Sequence, residues 1–146
     1  MRAVSKAVRR VEPPLTVLGE FEGDSFGDAL VELQDGDVRW RVIRDRSILS
    51  LVAAPELDCL NWYDTDLLKR LLRLPAKARG NVGRGGAELS TATVEDLITE
   101  LQQIRSKVSA AFAPSRWDST HRRLRKIRRQ RDFETLGLPP SPDDGE

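Results

Sequence analysis

Residues 38–45 show the clearest alternation of apolar and polar positions in the chain, because Val38, Trp40 and Val42 alternate with Arg39, Arg41 and then Ile43. Successive side chains of a strand point to opposite faces, so the pattern predicts a strand with Trp40 facing the core and Arg39 and Arg41 on the other face. A second apolar run at residues 48–53 predicts another strand. Because the polar segment between them is short, we expect the two strands to form an antiparallel hairpin.

The segment before this hairpin allows two interpretations. Residues 15–21 alternate weakly and predict a strand, although a glycine lies near its centre. Residues 25–34 have a capping-box-like start and apolar side chains at helical spacing, which favours a short helix ending near Asp35. The alternative is a strand at residues 29–33 that reaches the next strand through a turn at Asp35 and Gly36.

Three later segments have the periodicity of amphipathic helices. Residues 64–74 are rich in leucine, begin with Asp64 as a candidate N-cap and precede a proline. Residues 93–112 keep one continuous apolar stripe, and residues 115–133 predict a basic helix. The glycine-rich residues 75–90 predict a flexible connector between the first two of these helices.

These elements predict an α+β fold in which a small antiparallel hairpin or sheet packs against three or four helices, the last of them basic. The length of 146 residues suits one domain, which we place at residues 15–136. We expect a flexible basic segment at residues 1–14 and a disordered acidic tail at residues 137–146.

The formal charge of +1 conceals two oppositely charged halves. Residues 12–66 hold 13 acids and 4 bases, a net charge of −9, whereas residues 67–131 hold 16 bases and 5 acids, a net charge of +11. Such a dipole can orient a binding partner. The alternative is internal, with the two halves neutralising each other in the fold.

The densest charge is a run of basic residues from Arg116 to Arg131. At 3.6 residues per turn, four of its side chains share one helix face: Arg122, Arg125, Lys126 and Arg129. Such a stripe can bind phosphates or an acidic protein, or can be solvated or paired within the fold. We take these four residues, with Arg39 and Arg41, as the predicted partner-binding set.

Candidate catalytic residues are few. Asp64 and Asp66 could act as paired carboxylates or as Mg²⁺ ligands, but cap and first-turn roles explain both. The single Cys59 is expected to be a buried, reduced thiol, and the single His121 a surface residue that offers no cluster for a metal. The glycine-rich residues 80–86 lack a phosphate-binding motif and favour a linker. We predict no catalytic residue, no metal and no cofactor.

The basic N-terminus is not followed by an apolar stretch typical of a signal peptide, and no window approaches the length of a membrane span. These observations predict a cytoplasmic protein without a membrane partner.

A family resemblance appears over residues 25–133. It is carried by residues 38–46 (VRWRVIRDR), the apolar strand at residues 48–54, residues 62–68 (WYDTDLL) and the closing arginine-rich helix. In this order they resemble small uncharacterised actinobacterial proteins, some of them similar to immunity proteins of polymorphic toxin systems. The resemblance implies a cytoplasmic, non-enzymatic protein that binds and blocks another protein, and it implies no functional residue.

We therefore expect a protein-binding module, and in its most specific form an immunity-type inhibitor of a cognate toxin. The alternative is a nucleic-acid-binding protein that uses the arginine-rich helix.

Overall fold

The predicted hairpin is the centre of a five-stranded antiparallel sheet in the computed structural model, which describes residues 1–23, 28–46, 48–75 and 91–138. Its strands are β1 (Thr16–Glu22), β2 (Ala29–Asp35), β3 (Val38–Asp45), β4 (Ile48–Pro55) and β5 (Tyr63–Asp64). Each strand pairs with the next one along the chain, so the sheet is a meander. A single 3-10 turn at Glu56–Asp58 follows β4.

Four helices complete the described fold and confirm the α+β class. They are α1 (Arg2–Val8), α2 (Thr65–Leu72), α3 (Thr91–Ala111) and α4 (Trp117–Thr135). Asp64 is the N-cap of α2, as predicted, since its carboxylate accepts a hydrogen bond of 2.9 Å from the backbone N–H of Leu67. The helix α2 ends at Leu72, before Pro75, because Arg73 adopts a left-handed conformation with φ of 57°. Among the described helices, none has the length and apolar character needed to cross a membrane.

One face of the sheet forms the core. Trp40 pairs with Leu33 on β2 and Ala53 on β4, and all three side chains are completely buried. They join a single cluster with the apolar stripes of the helices, including Leu67 of α2 and Ile104 of α3. The predicted inward orientation of Trp40 is confirmed.

An aromatic cluster fastens the helices to the end of the sheet. Tyr63 of β5 makes edge-to-face contacts with Phe112, just after α3, and with Trp117 at the start of α4, each at a ring-centroid distance of 6.1 Å. Phe112 and Trp117 also contact each other at 5.4 Å. The cluster thereby fixes where α4 begins relative to β5.

The helix favoured at residues 25–34 is wrong, and the strand alternative is confirmed. Residues 29–35 form β2, and Gly36 has φ of +59° in the turn to β3. Seven consecutive residue pairs join β2 to β3, and their hydrogen bonds and side-chain packing outweigh the local helical spacing. Residues 24–27, where that helix would begin, lie outside the described residues.

The flexible segment expected at residues 1–14 is also wrong in its first part. Residues 2–8 form α1, whose Val4 and Val8 are fully buried in the core. Ser5 donates a hydrogen bond to the carboxylate of Glu20 on β1. Burial of two apolar side chains supplies the free energy that orders this short helix.

Two smaller differences concern boundaries. The helix α3 begins at Thr91, two residues before the start predicted from the apolar stripe of residues 93–112. The connector at residues 76–90 and the tail from residue 139 lie outside the described residues, as do the predictions made for them.

Candidate functional site

The face of the sheet opposite the core is the most distinctive surface of the molecule, and we call it the outer sheet face. It is formed by the side chains that alternate with the core residues: Thr16, Gly19 and Phe21 of β1, Leu30, Glu32 and Gln34 of β2, Arg39, Arg41, Ile43 and Asp45 of β3, and Ile48, Ser50, Val52 and Ala54 of β4. Among these described residues, Ala54 is the one that is buried. The outer sheet face is therefore accessible over four strands.

An ion-pair network occupies the part of this face near the β2–β3 turn. Arg39 donates to Glu56 at 2.6 Å and to Glu32 at 3.1 Å, and Arg41 lies 3.4 Å from the other oxygen of Glu32. The hydrogen bond to Glu56 is the largest cause that raises the pKa of Arg39. The predicted orientation of Arg39 and Arg41 is confirmed, but both guanidinium groups already have carboxylate partners.

Arg41 also stacks on an aromatic ring. Its guanidinium carbon lies 3.9 Å from the ring centroid of Trp62, in the geometry of a cation–π interaction. The backbone oxygen of Trp62 accepts a hydrogen bond of 3.2 Å from Arg128 of α4, whose guanidinium also lies 4.9 Å from the Tyr63 ring centroid. Trp62 is thus the point at which the sheet arginines and the arginine-rich helix meet.

The sequence analysis did not predict that Trp62 contacts both Arg41 of β3 and Arg128 of α4. The loop at residues 56–63 is rich in apolar residues, and this composition predicts that it folds back on the core. Tyr63 does so, whereas Leu57 and Leu60 are exposed. The available signal was the adjacent pair Trp62 and Tyr63 at the start of a short strand, because neighbouring side chains of an extended chain face opposite ways.

The other end of the outer sheet face is apolar. Phe21 is 59% exposed and Ile48 is 49% exposed, and the half-buried Leu30 and Ile43 lie on the strands between them. The Phe21 ring lies over Gly19, where an added Cβ would approach the ring to 3.1 Å. The glycine thereby lets the phenyl ring lie along β1.

The arginines of α4 divide into two groups. Arg123 donates to the backbone oxygen of Leu71, Arg128 to that of Trp62, and Arg131 to the carboxylates of Asp64 and Asp66, so these side chains hold α4 against α2 and β5. Of the predicted stripe, Arg122, Arg125 and Arg129 are exposed and Lys126 is half-buried. Part of the basic charge is therefore used within the fold.

The two candidate catalytic carboxylates, Asp64 and Asp66, both form ion pairs with Arg131. One of its nitrogens lies 2.8 Å from Asp64 and 3.3 Å from Asp66. Burial acts to lower the pKa of Arg131, but the hydrogen bonds and charges of the two carboxylates outweigh it, and the pKa is raised. Asp64 thus combines its cap role with an ion pair, and Asp66 lies in the first turn of α2.

The two remaining candidates have different environments. His121 stacks on Trp117 at a centroid distance of 5.1 Å. The expectation of a buried Cys59 is wrong, since the thiol is exposed just after the 3-10 turn. Within the described residues, no group of three or more His, Cys, Asp or Glu side chains is arranged to hold a metal ion.

Comparisons with protein-family models, curated proteins and solved structures found no matching family, relative or structural neighbour.

Proposed function

We propose that the protein is a non-enzymatic protein-binding module and that the outer sheet face binds the partner. The observation that carries this proposal is that the described residues of that face, apart from Ala54, are exposed or half-buried over four strands, while the helices pack on the opposite face. A contiguous exposed surface with apolar residues at one end and polar residues at the other is typical of interaction sites. Tryptophan and arginine, the residue types most enriched in binding hot spots, meet at Trp62 and Arg41.

The chemistry of this face suits a protein better than a nucleic acid. Arg41 covers one face of the Trp62 ring, which leaves less of it for base stacking. Glu32 and Glu56 lie against the arginines and would repel phosphates. A protein partner can match both the ion-pair network and the apolar end.

Affinity capture with matched variants tests the proposal. We compare the tagged wild type with R41E/I48E, altered on the outer sheet face, and with R122Q/R125Q, altered on α4. Eluates are analysed by mass spectrometry with and without nuclease, and circular dichroism checks that both variants are folded.

We expect one stoichiometric protein partner that survives nuclease, is retained by R122Q/R125Q and is lost with R41E/I48E. Retention of that partner by R41E/I48E would exclude the outer sheet face as its binding site. Recovery of nucleic acid alone would overturn the proposal.

Immunity-type inhibition is the specific form of this proposal that the resemblance over residues 25–133 implies. It requires that the protein protect cells from a toxin encoded beside its own gene. Growth of cells producing that toxin, with and without this protein, measures the protection, and equal growth inhibition in both would contradict the immunity form.

A second candidate function rests on the exposed part of α4. Arg122 and Arg125 project into solvent on one helix face and have no ion pair with any described residue. If this face binds nucleic acid, the affinity for a duplex falls steeply with salt concentration. R122Q/R125Q then lowers the slope of log affinity against log salt concentration by about 2, because two phosphate contacts are lost. Fluorescence anisotropy with a labelled duplex between 50 mM and 200 mM salt decides this, and no binding at low salt excludes it.

A further inference from the structure

The apolar end of the outer sheet face is a shallow groove with an acidic rim. Phe21, Leu30 and Ile43 form its apolar part, on three adjacent strands. It lies where the β1–β2 and β3–β4 connections meet the sheet, at the opposite end from Arg39. The groove is open to solvent, and Ile48 extends its apolar surface on β4.

The described residues neutralise less of the charge at the rim of this groove than at the end of the face near Arg39 and Arg41. Three acidic residues line the groove, Glu22, Asp28 and Asp45, and all three are exposed. Asp45 belongs to the outer sheet face, whereas Glu22 is the last residue of β1 and alternates with Phe21. None of the three has an ion pair or a side-chain hydrogen bond with a described residue. Arg44 is the one cation among the lining residues that the structure describes, so their net charge is −2.

We propose that this groove binds a basic segment of the partner protein, with an apolar side chain seated on Phe21, Leu30 and Ile43. The inference rests on the proposed function and adds the chemistry of the partner. An apolar anchor covers the Phe21 ring and the methyl groups of Leu30 and Ile43, while lysines or arginines beside it meet the acidic residues of the rim. An acidic segment would meet like charge at the same positions.

The contrast within one face supports this orientation. Near Arg39 and Arg41, each cation has a carboxylate within 3.4 Å, so an incoming charge gains little there. At the groove, the carboxylates are without such partners among the described residues, and their interaction with an incoming cation is correspondingly larger. The groove end therefore sets the sign of the charge that the partner must carry.

A pair of peptides tests the proposal directly. The probe is a fluorescein-labelled decapeptide with a central Phe-Leu pair flanked by lysines, and its counterpart carries glutamates in place of the lysines. Fluorescence anisotropy measures both peptides against the wild type, F21S, E22K/D45K and the control D37K/E95K, which makes the same change in net charge at two exposed acids outside the groove. Circular dichroism verifies that each variant is folded.

We expect saturable binding of the lysine probe and none of the glutamate probe. E22K/D45K and F21S should each weaken binding of the lysine probe at least about tenfold, or about 1.4 kcal/mol, whereas D37K/E95K should leave its affinity within about twofold. Equal binding of the two probes, or equal weakening by both double variants, would overturn the proposal.

The result is separable from that of the capture experiment. Absence of binding by the lysine probe overturns the basic-segment proposal. If a captured partner is nevertheless lost with R41E/I48E, the proposed function stands and only the chemistry assigned to the groove fails. If that variant retains the partner, the use of the outer sheet face fails as well.

Discussion

Tyr63 is buried within the aromatic cluster, and this burial raises the pKa of its phenol above the ordinary value of 10.0, although the charge of Arg128 acts to lower it. The neutral phenol is thus favoured in the folded protein. The stability associated with it is fully present below pH 10 and is lost as the pH rises through the folded-state pKa.

Because Tyr63 is the single tyrosine of the chain, its titration can be followed without interference from another phenol. We predict that absorbance at 295 nm gives a midpoint above pH 10 in the native protein and about 10 in denaturant. A native midpoint at or below the denatured one would contradict the buried position of Tyr63.

Asp35 and Arg105 form the most buried ion pair between the two oppositely charged halves. Two nitrogens of Arg105 donate to the Asp35 carboxylate at 2.7 and 3.0 Å, and the Arg105 side chain is only 9% exposed. The third nitrogen, Nη1, is buried without a described hydrogen-bond partner. Removing the carboxylate would leave a largely buried charge without its partner.

We predict that D35N lowers the free energy of unfolding by about 2–4 kcal/mol in urea denaturation. E56Q is the matched control, because Glu56 is 39% exposed in its pair with Arg39, and it should cost no more than about 1 kcal/mol. Equal losses for the two variants would show that burial does not distinguish the pairs.

Single residues differ in how far the sequence predicts them. The orientation of Trp40, Arg39 and Arg41 follows from strand periodicity, which is a local property. The role of Trp62 depends on β5 pairing with β4 and on α4 lying beside it, and neither contact is visible in local periodicity. The exposed Cys59 likewise reflects the path of a loop that no periodic pattern describes.

At the scale of elements, α4 carries two kinds of arginine, those that contact the rest of the fold and those that are exposed to solvent. Arg128 and Arg131 bind Trp62, Asp64 and Asp66, whereas Arg122 and Arg125 are exposed on the same helix. R128Q/R131Q and R122Q/R125Q lower the net charge by the same amount. A difference in stability between the two variants therefore reports lost contacts and not lost charge.

We predict that R128Q/R131Q lowers the free energy of unfolding by about 2–3 kcal/mol, because it removes charged hydrogen bonds and a cation–π contact. R122Q/R125Q should stay within about 0.5 kcal/mol of the wild type. Thermal and urea denaturation measure both, and an equal loss in the two variants would refute this division of the helix.

The error at residues 25–34 has a physical cause at this same scale. A segment of about ten residues with five apolar side chains, as at residues 25–34, can match a helical and a strand period equally well. Its pairing with β1 on one side and β3 on the other decides the outcome, and these are contacts between separate segments. The long stripe of α3 was predicted correctly because more than five turns leave no such ambiguity.

At the scale of the molecule, the two charged halves neutralise each other in part. Asp35 binds Arg105, and Asp64 and Asp66 bind Arg131, so each half supplies partners to the other. This agrees with the internal alternative for the charge dipole. The acidic residues of the groove, with Arg122 and Arg125 of α4, are exposed and have no ion pair with a described residue.

The N-terminal helix is a structural part of this whole. Val4 and Val8 are fully buried, and α1 contacts α3. We predict that V4A/V8A lowers the free energy of unfolding by about 2–5 kcal/mol, because it removes buried methyl groups and leaves cavities. The exposed Arg2 supplies the control, and R2A should change stability by less than about 0.5 kcal/mol. If V4A/V8A were as stable as the wild type, the result would contradict the packing of α1 in the core and would favour the predicted flexible N-terminal segment.

The meander also has a consequence for the order in which the chain folds. Each of its strands meets the strand adjacent in sequence, so the sheet requires only short loop closures, while contact between α1 and α3 closes a loop of roughly 90 residues. Hairpins that form early would give a transition state containing β2, β3 and β4 but without α1. In stopped-flow kinetics, V42A should then slow refolding, whereas V4A/V8A should mainly accelerate unfolding.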